Sequence, residues 1–311
     1  MKRYCVVGSL NMDMVTRVDR FPEPGETVRG RSFTIFPGGK GANQAVALAK
    51  LGAHVEMIGA LGDDVLGQRY RQVLAGAQIG TRGVAEIRGV STGTASIEVT
   101  DSGENHIIIV AGANDRVTPV SIESQRSLIT ACDYLLLQLE IPLDALTLAA
   151  SIARTAGIPV ILDPAPAREL PLELYALVSI ITPNETEARL LTGDDTTTDA
   201  GIHRAGQRLL SRGVGSVIIK AGKRGGFLVE PGTFTHVPGF AVQVVDTVAA
   251  GDSFNAGLAA ALGDGATMLD AVRFANATGA LSTTREGAQS AMPSAGEVHA
   301  LMAHPPAYSS T

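Results

Sequence analysis

The stretch Val244-Val245-Asp246-Thr247-Val248-Ala249-Ala250-Gly251-Asp252-Ser253-Phe254-Asn255 runs from apolar residues through a turn of small ones into an amphipathic helix. The pattern predicts a strand over Ala241–Val245 and a helix with Asp252 in its first turn. Small side chains at Ala249, Ala250 and Gly251 let successive backbone N–H groups point outward together. A starting helix adds its positive dipole end, so the stretch is a ready anion site. A carboxylate there is misplaced if anion binding is the whole task, because it repels phosphate. The conflict resolves if Asp252 takes a proton from a group attacking phosphorus. The competing explanation is an Asp that caps a helix after a glycine turn.

A second glycine stretch, Gly38-Gly39-Lys40-Gly41-Ala42-Asn43-Gln44, opens an Ala-rich helix that stops at Gly52. It is not a Walker A loop, since Gly41 rather than Ser or Thr follows Lys40, and it is not a GxGxxG placed directly after the first strand. Missing side chains let a polyol lie against the backbone, while Lys40 and Asn43 supply a charge and an amide. Asn11 and Asp13 follow the first strand, and an amide and carboxylate there suit vicinal hydroxyls; a polar turn is the alternative.

Glu140 ends a buried apolar run, where an unpaired charge costs several kcal/mol, so it meets a cation or a ligand hydroxyl. Thr182 or Asn184 can cap the helix that starts at Glu185; Asn184 and Glu187 also lie one turn apart beside the strand end, where a phosphate and its Mg²⁺ would sit. Lys220 to Gly226 is a glycine turn between strands, open to reading as an ordinary exposed loop.

These groups need a scaffold. Strands are expected at Tyr4–Val7, Val55–Gly59, Tyr134–Gln138, Val160–Asp163, Ile180–Thr182, Ser216–Lys220, Phe227–Glu230 and Thr233–His236. Helices are expected at Leu66–Ala77, Pro142–Thr155, Glu185–Leu191 and Ala200–Arg212. This rhythm predicts an α/β fold, a doubly wound, mainly parallel sheet with helices on both faces and ligands at the C-terminal strand ends. Residues 14–36 instead alternate apolar and polar residues around a turn, and residues 92–111 read as two antiparallel strands around the tight turn Asp101–Glu104, together predicting a small four-stranded β-sheet outside the core formed by residues 1–13, 37–91 and 112–311. Such a sheet must cover an active site, a partner subunit, or both.

The chain has 311 residues, a net charge of −6 and no long basic run, so no nucleic-acid footprint is expected. No stretch approaches the roughly 18 apolar residues of a membrane helix, which places the protein in the cytoplasm. Cys5 and Cys132 lack a nearby partner in this reading, so neither a disulfide framework nor a thiolate metal site is expected, and the six histidines show no ligand spacing. The Pro/Ser-rich stretch 304–311 reads as a disordered tail.

In combination, residues 38–44 and 246–255 resemble the paired signature of the ribokinase family of carbohydrate kinases. Asn11/Asp13, Leu137–Glu140, Asp163–Arg168, Thr182–Glu187 and Phe274–Asn276 are similar to that family in order and spacing, through about Pro293. The resemblance implies transfer of the γ-phosphoryl of Mg·ATP to the 5-hydroxyl of ribose. Asp252 would be the base, and the N–H groups of Ala249, Ala250 and Gly251 would hold the phosphoryl. Asn11, Asp13, Gly39, Lys40, Gly41, Asn43 and Glu140 would bind sugar; Asn184, Lys220, Gly222, Gly225, Gly251 and Asn276 would bind ATP; Glu187 would serve the Mg-phosphate. It further implies a potassium site at Asp246, Val248, Ser282, Arg285, Gly287 and Ala291, where Ala291 departs from the family serine and removes a hydroxyl ligand, and a homodimer joined through the lid. Another pentose, 2-deoxyribose or a nucleoside as acceptor, a non-catalytic sugar-binding regulator, and more distantly a dinucleotide oxidoreductase are the alternatives.

Overall fold

Strands that read as unbroken apolar runs are buried on both faces, and the chain arranges them so. A computed structural model describes residues 2–304; the tail expectation for residues 305–311 lies outside the described residues. In chain order the elements are β1 (Arg3–Val7), β2 (Asn11–Val18), β3 (Gly30–Gly38), α1 (Lys40–Lys50), β4 (His54–Gly62), α2 (Val65–Gly76), β5 (Gly80–Ile87), β6 (Gly93–Thr100) and β7 (Asn105–Val110). Next come α3 (Pro119–Ser124), α4 (Arg126–Thr130), β8 (Tyr134–Gln138), α5 (Leu143–Thr155), β9 (Val160–Asp163), α6 (Leu172–Leu177), β10 (Ile180–Ile181) and α7 (Glu185–Thr192). The chain continues through α8 (Asp199–Ser211), β11 (Ser216–Lys220), β12 (Gly225–Glu230), β13 (Thr233–Pro238), α9 (Ala250–Gly263), α10 (Met268–Ser282) and α11 (Ala295–Ala303).

Nine strands form one sheet in the order β13-β12-β11-β10-β9-β8-β1-β4-β5. It is parallel from β11 to β5, and β12 and β13 are antiparallel additions at one edge. Successive residues of β1 point to opposite faces. Cys5 and Val7 join the cluster filled by α5 and α8, and Tyr4 and Val6 join the one filled by α1, α9 and α10. The mainly parallel, doubly covered core is as predicted. Among the described residues no helix is long and apolar enough to cross a membrane.

The second sheet has the order β3-β2-β6-β7, with β2 and β6 parallel and the outer pairs antiparallel. It begins at Asn11, only a few residues after β1 leaves the large sheet, so Asn11 and Asp13 belong to its first strand.

Three expectations are corrected. Ala241–Val245 is not a strand: it passes beyond β13 without joining the sheet, and Ala241, Val242 and Val244 line a cavity instead of the core. β5 and α6 are present where none was expected; β5 opens with Gly80-Thr81-Arg82-Gly83, a polar start tolerated at the sheet edge. Cys5 and Cys132 are spatial neighbours, because β1 pairs with β8, which starts two residues after Cys132; the Cys132 thiol donates to Ile129 O, and both remain free thiols.

Candidate active site

The C-terminal ends of β1, β8, β9 and β11 converge, bringing Ser9, Glu140, Asp163 and Lys220 to one edge of the large sheet. Helices α1 and α9 pack together above it. Six helix starts are closed by side chains, with Asp64, Thr118, Asn184, Thr198, Thr267 and Ser294 each accepting a first-turn N–H, while α4, α5 and α6 start without one. Neither α1 nor α9 has a side-chain cap; their caps are Gly39, at φ 87°, and Ala249, at φ 58°.

Asp252 lies in the first turn of α9 and is 5% exposed. One carboxylate oxygen accepts from Asn43 Nδ2 at 3.0 Å, the other from Gln44 Nε2 at 3.2 Å. Burial pushes this carboxyl up to about 6; Asp163 adds to the rise, while Lys40 and the two amides oppose it. The left-handed Ala249 turns the chain so that its carbonyl accepts from Ser253 N and Thr247 O accepts from Ala250 N. The N–H groups of Gly251 and Asp252 have no partner among the described residues. Unpaired donors at a helix start are an anion-binding surface.

The glycines at the start of α1 also let the chain pack closely against itself. A Cβ on Gly38 would lie 2.0 Å from an Asp13 carboxylate oxygen, one on Gly39 2.7 Å from Asn11 N, and one on Gly41 2.7 Å from the backbone of Gly8 and Ser9. All three residues make room for the chain itself. The first-turn donors are also occupied: Lys40 N–H goes to Glu140 at 3.1 Å, Gly41 N–H to Ser9 Oγ at 3.4 Å, and Ala42 N–H to Ser9 O at 3.0 Å. Glu140 therefore meets a main-chain donor and the Ser9 hydroxyl, which also donates to it. The packed turn holds Lys40 and Asn43 in place. Burial alone would lower the Lys40 pKa, but Asp252, Asp163, Glu140 and Glu187 carry it above its ordinary value.

Asn11 is buried, and its side-chain oxygen accepts from Asn114 Nδ2 at 2.7 Å. Its amide nitrogen is thereby the group left to donate. Asp13 is pushed up to about 7 by burial and by the charges of Glu140 and Asp252, against the pull of Lys40. A donor beside a reluctant carboxylate suits neighbouring hydroxyls.

A cavity of about 680 Å³ opens on the other side of Asp252. Lys40, Asp163, Asn184, Glu187, Lys220, Gly222, Gly225, Gly251, Asp252 and Asn276 all reach it, with Phe240, Val242 and Val244 as an apolar wall. Asn184 caps α7 as the alternative reading held, its oxygen accepting from Glu187 N at 2.8 Å while Glu187 Oε2 accepts from Asn184 N at 2.7 Å. Lys220 pairs with the buried Asp163 at 2.9 Å. The Asn276 amide donates to the carbonyls of Val237 and Pro238, fixing the end of β13.

Beside the α9 start, Asp246 accepts from Val248 N at 3.0 Å and Gly287 N at 2.9 Å, joining two of the segments assigned to a monovalent ion. The Ser282 hydroxyl is committed to Gly279 O, the Arg285 guanidinium turns to Glu297, and Ala291 is fully buried. Of the three, Ser282 alone keeps a side-chain oxygen with free lone pairs, and Arg285 and Ala291 offer at most main-chain carbonyls. Among the described residues no group of three or more His, Cys, Asp or Glu is placed to hold a metal ion.

The sequence reading assigned no role to Ser9, Gln44, Asn114 or Gln138, and quoted Asp163 only within a motif. Each acts through a partner distant in sequence, and Gln44 alone had a local signal, as the residue next to Asn43 on α1.

Residues 1–295 match the family described as pfkB family carbohydrate kinase. A ribokinase of Haemophilus influenzae is 41% identical over 97% of this chain and 99% of its own length, and a deoxyribokinase of Salmonella typhi is 37% identical over 93% and 95%. The solved structure of Arabidopsis thaliana ribokinase complexed with ribose and ATP superposes with a TM-score of 0.91 at 34% identity, covering 97% of this chain and 98% of that one. The chain belongs to the pfkB family of carbohydrate kinases, and it is a ribokinase-like member.

Proposed function

We propose that this carbohydrate kinase transfers the γ-phosphoryl of ATP to the 5-hydroxyl of D-ribose, giving ribose 5-phosphate and ADP. The observation that carries the reading is the position of Asp252, between the 680 Å³ cavity and the Asn11/Asp13 side, beside two unpaired N–H groups. ATP occupies the cavity, its base against Phe240, Val242 and Val244 and its phosphates toward Lys220 and the start of α9. Ribose lies against Asn11, Asp13, Lys40, Asn43 and Glu140. The 5-hydroxyl oxygen attacks the γ-phosphorus as its proton passes to the Asp252 carboxylate. The bond from that phosphorus to the β,γ-bridging oxygen breaks, and the electron pair leaves with ADP. The Gly251 N–H and its neighbours stabilise charge on the transferring group, since phosphoryl transfer is mostly positioning and electrostatics.

Mg²⁺, when bound with the triphosphate, neutralises charge on its oxygens. Glu187 fits this use: it reaches the cavity with only one oxygen committed to the helix cap, and Mg²⁺ needs few protein carboxylates when phosphates supply the rest. For potassium, Asp246 and the carbonyls near Val248 and Gly287 offer hard oxygens, with one hydroxyl fewer at Ala291. The small sheet acts as a lid, and the exposed Ile107, Ile108 and Ile109 of β7 with Phe33 of β3 give a second copy an apolar surface to cover.

The test is ADP release with Mg·ATP across ribose, 2-deoxyribose, other pentoses and nucleosides, in potassium and again in sodium. Ribose should turn over best, because a deoxy sugar leaves buried polar groups unpaired. No turnover with any pentose overturns the proposal.

A further inference from the structure

Gln44 sits in α1 and is only 1% exposed, does not line the cavity, and has every polar atom engaged. Its Nε2 donates one proton to Asp163 Oδ2 at 3.1 Å and the other to Asp252 Oδ1 at 3.2 Å. Its Oε1 accepts from Gln138 Nε2 at 2.7 Å. The two carboxylates fix which way the Gln44 amide points, and Gln138, itself fully buried at the end of β8, complements that orientation by donating to its oxygen. A flipped amide would set its carbonyl oxygen against two carboxylates and its NH₂ against another NH₂. Asp163 is in turn anchored by Lys220 on its remaining oxygen.

We infer that Gln44 is a positioning residue that clamps the Asp252 carboxylate to the Asp163–Lys220 pair, fixing the orientation in which it takes the sugar proton. This rests on the reading of Asp252 as base. Two facing acids would otherwise turn apart, and α9 supplies nothing that holds the Asp252 side chain from its own helix. Asn43 holds one oxygen and Gln44 the other, so loss of either lets the carboxylate rotate. The charged groups facing Asp252 are Lys40 from α1, Asp163 from β9, Asp13 from β2 and Glu140 after β8, with Lys220 and Glu187 across the cavity. The Gln44 hydrogen bond favours the ionised form of Asp252 against its burial.

The experiment compares Gln44→Leu, Gln138→Leu and Asp252→Asn with the parent, recording kcat and KM for ribose across pH at saturating Mg·ATP, with thermal melts alongside. Gln44→Leu should lower kcat roughly ten- to a hundredfold, the scale of one hydrogen bond to a charged group. KM for ribose should stay within about threefold, and the acidic limb of the rate profile should move to higher pH. Gln138→Leu, which touches neither acid, should shift the limb in the same direction by less. Unchanged kcat and limb in Gln44→Leu while Asp252→Asn is inactive overturns the inference alone. Full turnover in Asp252→Asn overturns the base assignment as well. A kcat loss that tracks only a fall in melting temperature, with the limb unmoved, marks Gln44 as structural and also overturns it.

Discussion

The starts of α1 and α9 look alike in sequence, two small-residue turns each opening a helix at one cleft, yet they do opposite things. At α9 the Gly251 and Asp252 N–H groups are unpaired among the described residues. At α1 the equivalent donors are taken by Glu140, Ser9 Oγ and Ser9 O, and the glycines are filled against by Asp13, Asn11 and Gly8. One turn keeps its donors open to a ligand; the other is a joint that fixes Lys40 and Asn43. A glycine signature states that the backbone comes close to something, and only the surroundings say to what.

The comparison breaks hardest at Asp252. Asp252→Asn leaves the α9 turn in place and removes the proton acceptor, so kcat should fall roughly 10²- to 10⁴-fold. In the parent, kcat/KM for ribose should decline below about pH 6, because the carboxyl must be ionised to accept; a flat profile to pH 5 would contradict its role.

At the packed turn, Gly41→Ala should cost about 1–3 kcal/mol of stability, since the new Cβ meets main chain that cannot yield. Denaturant unfolding measures this. Asp13→Asn should do the reverse, stabilising the free protein by about 1–3 kcal/mol at pH 8 while weakening ribose binding. The sign follows from a folded-state pKa raised to about 7: the fold disfavours the ionised form, so the penalty is complete above pH 7 and gone below the ordinary carboxylate value. The stability gap between Asp13→Asn and the parent should therefore close as pH falls from 8 to 4. At the open turn, Gly251→Ala places its Cβ 3.3 Å from the Lys220 ammonium and meets no main chain, so the stability loss should be smaller than for Gly41→Ala and KM for ATP should rise only roughly three- to tenfold. Equal stability losses for the Gly41 and Gly251 variants would erase the distinction.

The apolar runs of β1, β8, β9 and β11, the alternation in β2 and β3, and the tight turn between β6 and β7 were legible because strand and turn signals are local. So were Asp252, Lys40 and Asn11, whose residue types are unusual for their places. What fills a glycine's empty side was not legible, since Ser9 meets Glu140 across 131 residues and Lys40 meets it across 100. The same distance hid Asn114 behind Asn11 and Cys132 beside Cys5. The segment Ala241–Val245 misled because an apolar cavity wall and a buried strand have the same composition.

Only Gly8, Ser9 and Leu10 separate the last residue of β1 from the first of β2, and those strands belong to different sheets. Asn11 and Asp13 are thus carried by one sheet, while Lys40, Asn43 and Asp252 are carried by helices resting on the other. On the proposed reading a sugar therefore spans two sheets, which are tied together at Gly8–Leu10, at Gly39, across residues 88–92 and again after β7.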